Sequence, residues 1–320
     1  MTLTKYAATG IAAALIMAPA AYAKGQSWWL DLEGGIEVDD NVAVNQNIDE
    51  NGDKIDASSG SSDFAATFEV DAGYKVIDTD DSRIEIGYNF FQSLYQDLNE
   101  FNYTEHTPSL NAWTKVGGVK LGITYTYLNA SLDNDFFLEE HIFSPSITAY
   151  VTEQIYVSAF YRYLDKNYNH LDGRRDARTQ QPGGDVFYYW DKANRGYVSA
   201  GASYTIEDTD ITPVDYPSYG YDGVSLRGAV QLPFDAFERK SRLRLAYAFQ
   251  QRDYDELTST PPPVGARRED ERHTVRLKLE VDVMGNMKAI GEYRFIDRNS
   301  NLVTADYQEN IASAALRFSF

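Results

Sequence analysis

The chain has 320 residues, no cysteine and a formal net charge of -19. It therefore cannot be a disulfide-stapled exported domain, and no nucleic-acid partner or cofactor is expected of so acidic a chain without a phosphate loop, a CxxC pair or an HExxH motif. Mean hydropathy is low, at -0.45, yet the sequence holds 24 tyrosines and 16 phenylalanines.

Residues 1–23 carry Lys5, a short apolar run and then Ala21-Tyr22-Ala23. The run is too short to span a bilayer and ends in the small residues of a cleavage site, so a secretory signal peptide cut after Ala23 is expected. The remainder, 24–320, is expected to be one domain. Its first segment alternates, with Asp31, Glu33 and Glu37 on one row. Asn41 to Ser62 follows as an acidic, Gly/Ser-rich connection. Within it Asp49, Asn51 and Asp53 have the spacing of the first ligands of a calcium loop, but Gly60 stands where a bidentate Glu belongs, so a solvated acidic loop is expected.

Further along, apolar and polar residues alternate with period two, as in half-buried strands. Phe64, Ala66, Phe68, Val70, Ala72, Tyr74 and Val76 form one row, with Glu69 and Asp71 on the other and Glu85 on the next strand. Val119 to Tyr127 and Val275 to Val283 divide as cleanly, as do SRLRLAYAFQ and GVSLRGAVQL. Short turns are predicted at Asp78 to Asp81, Val116 to Gly118, Val151 to Glu153, Lys192 to Arg195, Asp235 to Lys240 and Met284 to Asn286. Longer polar connections alternate with them, including Asn167 to Gly184 and Leu257 to Glu269. The weakest strand is the eighth, near Asp185 to Asp191, where apolar residues do not alternate. Pro108 and Pro145 sit in a weak repeat, PSLNAW and PSITAY, and are expected near the rim or at bulges because proline lacks a ladder donor.

The pattern predicts an all-β, transmembrane antiparallel β-barrel of about 14 strands, with short periplasmic turns and long extracellular loops, in the outer membrane of a Gram-negative bacterium. Tyr88, Phe90, Tyr125, Tyr127, Tyr161, Tyr163, Tyr204, Tyr247, Phe249, Tyr293 and Phe295 end the outward rows of the upward strands, as an interfacial aromatic girdle requires. Leu316, Phe318 and Phe320 continue the outward row to the last residue, which is expected to pair with the first strand. Outer-membrane lipid and lipopolysaccharide are the expected surroundings.

Candidate site residues lie on the inward rows. An acidic wall is expected from Asp31, Glu33, Glu37, Glu69, Asp71 and Glu85. A basic wall is expected from Arg227, Arg242, Arg244, Arg252, Arg276, Lys278, Arg294 and Arg317, with Glu280, Asp282 and Glu292 among them. These charges either set a field across a water-filled lumen or pair into a structural filling; 14 strands enclose more room than side chains alone fill. No catalytic residue is expected. His106 and Ser109, like His141 and Ser144, are three apart and so point to opposite faces of a strand, whereas a nucleophile and its base must touch. The histidines, His170 and His273 included, are expected at the rim or in loops.

The opening strand, Gly34 to Val42 (GGIEVDDNV), resembles the start of a group of outer-membrane barrels that includes the surface lipoprotein assembly modifiers and barrels associated with tetratricopeptide domains. Tyr204 to Phe234 is similar as well. The resemblance implies a β-barrel, a terminal aromatic signal at Phe318 and Phe320 read by the outer-membrane assembly machinery, and a possible periplasmic partner. Three functions follow as expectations: a porin-like channel for small polar solutes, an export or assembly barrel for a surface lipoprotein or polysaccharide, and an outer-membrane lipid-modifying enzyme.

Overall fold

A computed structural model describes residues 27–42, 62–168, 176–209, 219–236, 238–257, 267–302 and 305–320. The expected signal peptide, the calcium-like run Asp49 to Asp56 and His170 lie outside the described residues. Fourteen strands run in chain order: β1 (Trp28–Asp39), β2 (Asp63–Asp78), β3 (Ser82–Tyr95), β4 (Tyr103–Val116), β5 (Val119–Leu132), β6 (Asp135–Tyr150), β7 (Ile155–Tyr168), β8 (Ala177–Asp191), β9 (Gly196–Thr209), β10 (Tyr221–Ala236), β11 (Arg239–Leu257), β12 (Arg267–Met284), β13 (Met287–Ser300) and β14 (Tyr307–Ser319). Each pairs antiparallel with its sequence neighbours, and β14 pairs with β1 to close the barrel. Closure leaves no strand edge unpaired, the condition for spanning a bilayer with strands.

The seam joins Leu32 to Phe318 and Gly34 to Leu316. The Phe320 N–H donates to the Leu30 carbonyl at 2.8 Å, so the ladder continues to the final residue. Leu316, Phe318 and Phe320 are exposed, as are Leu277, Leu279, Ile123 and Tyr125 on other strands. A continuous apolar exterior of this kind is what lipid covers. The opposite row is the concave one. Ion pairs there reach across an intervening strand, Lys166 on β7 to Glu207 on β9 and Arg227 on β10 to Asp185 on β8. Gly201 on β9 makes room for the second pair, since a Cβ there would meet an Asp185 oxygen at 2.1 Å.

All six predicted short turns lie at one end. Gly117 and Gly285 supply positive φ at two of them, and Arg195 and Glu238 adopt it at two others. The other end departs from expectation in one hairpin: β5 and β6 join through Asp133 and Asn134 alone, both at positive φ (50° and 64°), the backbone that a primed two-residue turn demands. β8 is a full strand of 15 residues that begins at Ala177, so the connection predicted from Asn167 to Gly184 shrinks to 169–176. Gly183 and Gly184 lie inside it: Gly183 accepts the Phe160 ring, and Gly184 approaches the Ser158 carbonyl. The prolines also differ from expectation. Pro108, Pro145 and Pro182 sit inside strands, with no register shift at any of them; the ladder skips two positions there and resumes in phase. Bulges occur instead near strand ends, as at Lys75/Ile77 and Tyr189/Asp191.

Each upward strand from β3 to β13 carries an outward tyrosine whose hydroxyl meets a polar side chain two rows nearer the outside on the next strand. Tyr88, Tyr125 and Tyr247 reach Nδ1 of His106, His141 and His273 at 2.7 to 2.8 Å. Tyr161 donates to Gln180 at 3.0 Å and Tyr293 to Asn310 at 2.6 Å, and Tyr204 bonds to Asp222. The aromatic girdle therefore has a polar rim. The three histidines belong to strands, facing outward, and pack at a tilt against Phe90, Tyr127 and Phe249 with ring centres 5.1 to 5.2 Å apart. Ser109 and Ser144 occupy the other row.

Candidate functional site

The strand register sends every sequence-predicted wall residue to the inward row, and burial separates that row into two tiers. Toward the end with the short turns, the charged side chains are about a quarter exposed. The Arg317 guanidinium donates twice to Glu33, at 2.6 and 2.7 Å, across the β14–β1 seam. Arg242 meets Glu280 at 2.9 Å, Lys278 meets the same carboxylate at 3.4 Å, and Arg276 meets Glu292 at 3.1 Å. Five of the basic residues, with Arg227 on Asp185, thus have a local counter-charge. Arg244 and Arg294 have none among the described residues, and each has an Nε with no hydrogen-bond partner.

Like charges face one another in this tier. Asp31 is opposite Asp71 and Glu33 opposite Glu69 on β1 and β2. Glu85 stands on β3 opposite Lys75, and Glu37 stands higher on β1. On the other arc Arg244 is opposite Lys278 and Arg276 opposite Arg294. Facing like charges destabilise a strand pair, where alternating signs would stabilise it. The interior is therefore divided: a carboxylate arc on β1 to β3, and a mainly basic arc on β11 to β13 where two facing cation pairs stand beside the opposite-charge pairs Arg242 with Glu280, Lys278 with Glu292 and Lys288 with Asp282.

The outer tier is tightly packed. Glu140, Glu207, Arg252, Arg268, Asp270, Arg298 and Glu309 are all buried. Asp270 accepts from Arg268 at 2.9 and 2.7 Å, from Ser300 at 2.5 Å and from Arg298. Glu207 takes Lys166 at 2.7 Å and Thr179 at 3.0 Å. Arg252 lies over the Tyr221 ring, 4.5 Å from its centre, and Arg268 over Tyr254 at 4.4 Å. Arg252 thus belongs to the outer packing and not to the half-open basic arc. In the middle, Arg227 and Asp185 form a two-bond fork at 2.7 and 2.8 Å, the geometry that suits guanidinium to carboxylate.

Sequence reasoning missed Arg268, Asp270, Arg298, Lys166, Glu207 and Asp185. Arg268 fell in a connection assumed to run to Glu269, although β12 begins at Arg267. Continuing the RLKLEVD alternation backwards through Arg272 and Asp270 would have reached it. Lys166 and Glu207 have the correct parity, but nothing local says that they meet across β8.

No family model matches the chain, and no curated protein matches it. Among solved structures it is similar to a bacterial polysaccharide outer membrane secretin (10% identity, TM-score 0.48, 92% of this chain and 98% of that one). It is also similar to an anion-selective porin from Comamonas acidovorans (8%, TM-score 0.47, 92% and 99%) and to the outer-membrane expressed OmpT of Vibrio cholerae (11%, TM-score 0.48, 93% and 99%).

Proposed function

We propose that this outer-membrane β-barrel is a channel for small polar solutes, with the acidic and basic arcs of the half-open tier setting a field across its lumen. One observation carries the reading: the facing like-charge pairs, Asp31 with Asp71 and Glu33 with Glu69 on one arc, Arg244 with Lys278 and Arg276 with Arg294 on the other. A wall selected only for stability would alternate its signs. Segregated charge lining a water-filled passage instead orients dipolar solutes and selects ions.

Single-channel recording tests this. Replacing Arg244 and Arg276 with alanine should shift the reversal potential toward cations, because Glu292 loses its partner while Asp31, Glu33 and Glu69 remain. The shift should shrink at 1 M salt, where the Debye length is about 3 Å. If the charges are a filled structural network, the double mutant loses stability and conducts nothing, as does the wild type.

A second reading, an export barrel for a lipoprotein or polysaccharide with a periplasmic partner, is supported by the likeness of Gly34 to Val42 to barrels of that kind. Part of that likeness has a local cause here: a Cβ at Gly35 would lie 2.8 Å from the Ala314 carbonyl and from the Ala315 side chain at the seam. Under either reading the chain is exported by a signal peptide cut after Ala23, assembled by the outer-membrane machinery through its terminal aromatic strand, and surrounded by lipopolysaccharide.

A further inference from the structure

Toward the short-turn end, β8 does not alternate because both of its faces are apolar. Val186, Tyr188 and Trp190 are exposed on the lipid row. Phe187 and Tyr189 continue the inward row of Asp185, where polar residues are expected. Inward rings from four strands meet there. Tyr150 on β6 faces Tyr156 on β7 with ring centres 5.1 Å apart, and Tyr156 faces Phe187 at 6.0 Å. Tyr197 on β9 meets Phe187 and Tyr189, each at 5.7 Å. Phe187 and Tyr189 lie within 15° of parallel, 6.1 Å apart. The Lys192 ammonium sits over Tyr150 at 4.3 Å, at the mouth. The strip is half-buried, and Tyr150 is 55% exposed.

The hydroxyls of this strip are unengaged. Among the described residues those of Tyr150, Tyr156, Tyr189 and Tyr197 have no hydrogen-bond partner, although the Tyr189 side chain is within electrostatic reach of the other three. The six girdle tyrosines on the lipid face, by contrast, all bond a polar side chain. Beside the strip Thr148 stands opposite Ser158, and the Thr148 hydroxyl is buried with no partner among the described residues. The surroundings are neutral. The inward positions from Ser144 to Tyr150 and from Tyr156 to Phe160 carry no charge, and Asp185 is answered by Arg227.

We propose that this strip is a subsite for an uncharged saccharide at the short-turn mouth of the lumen; it rests on the channel reading above, for which it names a class of solute. A pyranose ring has a face of C–H bonds and an edge of hydroxyls. The aromatic rings take the C–H face through dispersion and weak C–H contacts. The tyrosine, Thr148 and Ser158 hydroxyls, each both donor and acceptor, match the sugar hydroxyls. Aromatic walls with a few polar groups are the usual make of a small-molecule site. A charged solute would instead be drawn to the arcs on β1 to β3 and β11 to β13.

The full-length barrel, purified in an amine-oxide detergent that carries no competing sugar, tests this by calorimetry with maltotriose, cellotriose, mannotriose and laminaritriose. At least one should bind saturably, and the same sugar should block single-channel current in planar bilayers. Phe187→Leu combined with Tyr189→Leu should weaken binding about tenfold or more, as expected of lost ring contacts. Tyr189→Phe should weaken it less, and Tyr161→Phe, the same change on the lipid row of β7, should leave it unaltered. Heat-modifiability checks that each variant is folded. No binding of any of the sugars to the wild type overturns the proposal, as does full affinity in the double variant. Equal block by a polyethylene glycol of the same mass reduces the effect to occlusion and overturns it too. Ion conductance without sugar binding sinks the subsite and leaves the channel standing. Saturable, ring-dependent binding without conductance supports the subsite and sinks the channel.

Discussion

Leu279 and Lys278 are neighbours in sequence and face opposite media. Leu279 is exposed on the lipid row, while Lys278 points inward to Glu280 at 3.4 Å. Leu279→Arg should cost roughly 2–4 kcal/mol near the bilayer midplane. Lys278→Ala should cost much less, because its partner keeps Arg242 at 2.9 Å. Urea unfolding in lipid vesicles measures both, and equal losses would contradict the assignment of faces. Parity made this distinction legible in the sequence for every charged wall residue, since a strand has only two faces. Depth was not legible. Arg252 and Arg244 share a row on β11, yet one is buried among tyrosines and the other lies in the half-open tier. Nor were the partners of the rim histidines legible: His273 meets Tyr247 on a neighbouring strand, 26 residues away, and only the register reveals that diagonal.

The strands were more legible than their ends. β5 and β12 announce themselves by alternation, and the six short turns by their glycines and polar residues. Only the second half of β8, near Asp185 to Asp191, was legible, because Gln181-Pro182-Gly183-Gly184 reads as a loop. Its neighbours supply what the segment lacks, with Phe160 filling the space over Gly183 and the β7 ladder continuing through Pro182. Tertiary pairing overrides local propensity there. The most exacting element is β14, which must find β1 at the far end of the chain. Deleting Phe318 to Phe320 removes the Leu32 pairing and the two hydrogen bonds to Leu30. That truncation should leave unassembled, protease-sensitive protein in the periplasm. Normal amounts of heat-modifiable barrel in outer-membrane fractions would contradict it.

At the scale of the whole molecule, the divided interior bears on how the barrel comes together. The facing carboxylates of β1 and β2 are brought close as soon as the first hairpin forms, and their repulsion opposes that hairpin. The first guanidinium to relieve it is Arg317, which binds Glu33 from 284 residues away. Asn89 on β3 eases one side of it by donating to Glu69 at 2.9 Å, and β14 brings the guanidinium to Glu33, so the final pairing is favoured by more than its hydrogen bonds. The charge that divides the lumen thus also serves as a clasp on the seam, tying the first strand to the last by a side-chain bond as well as by the ladder.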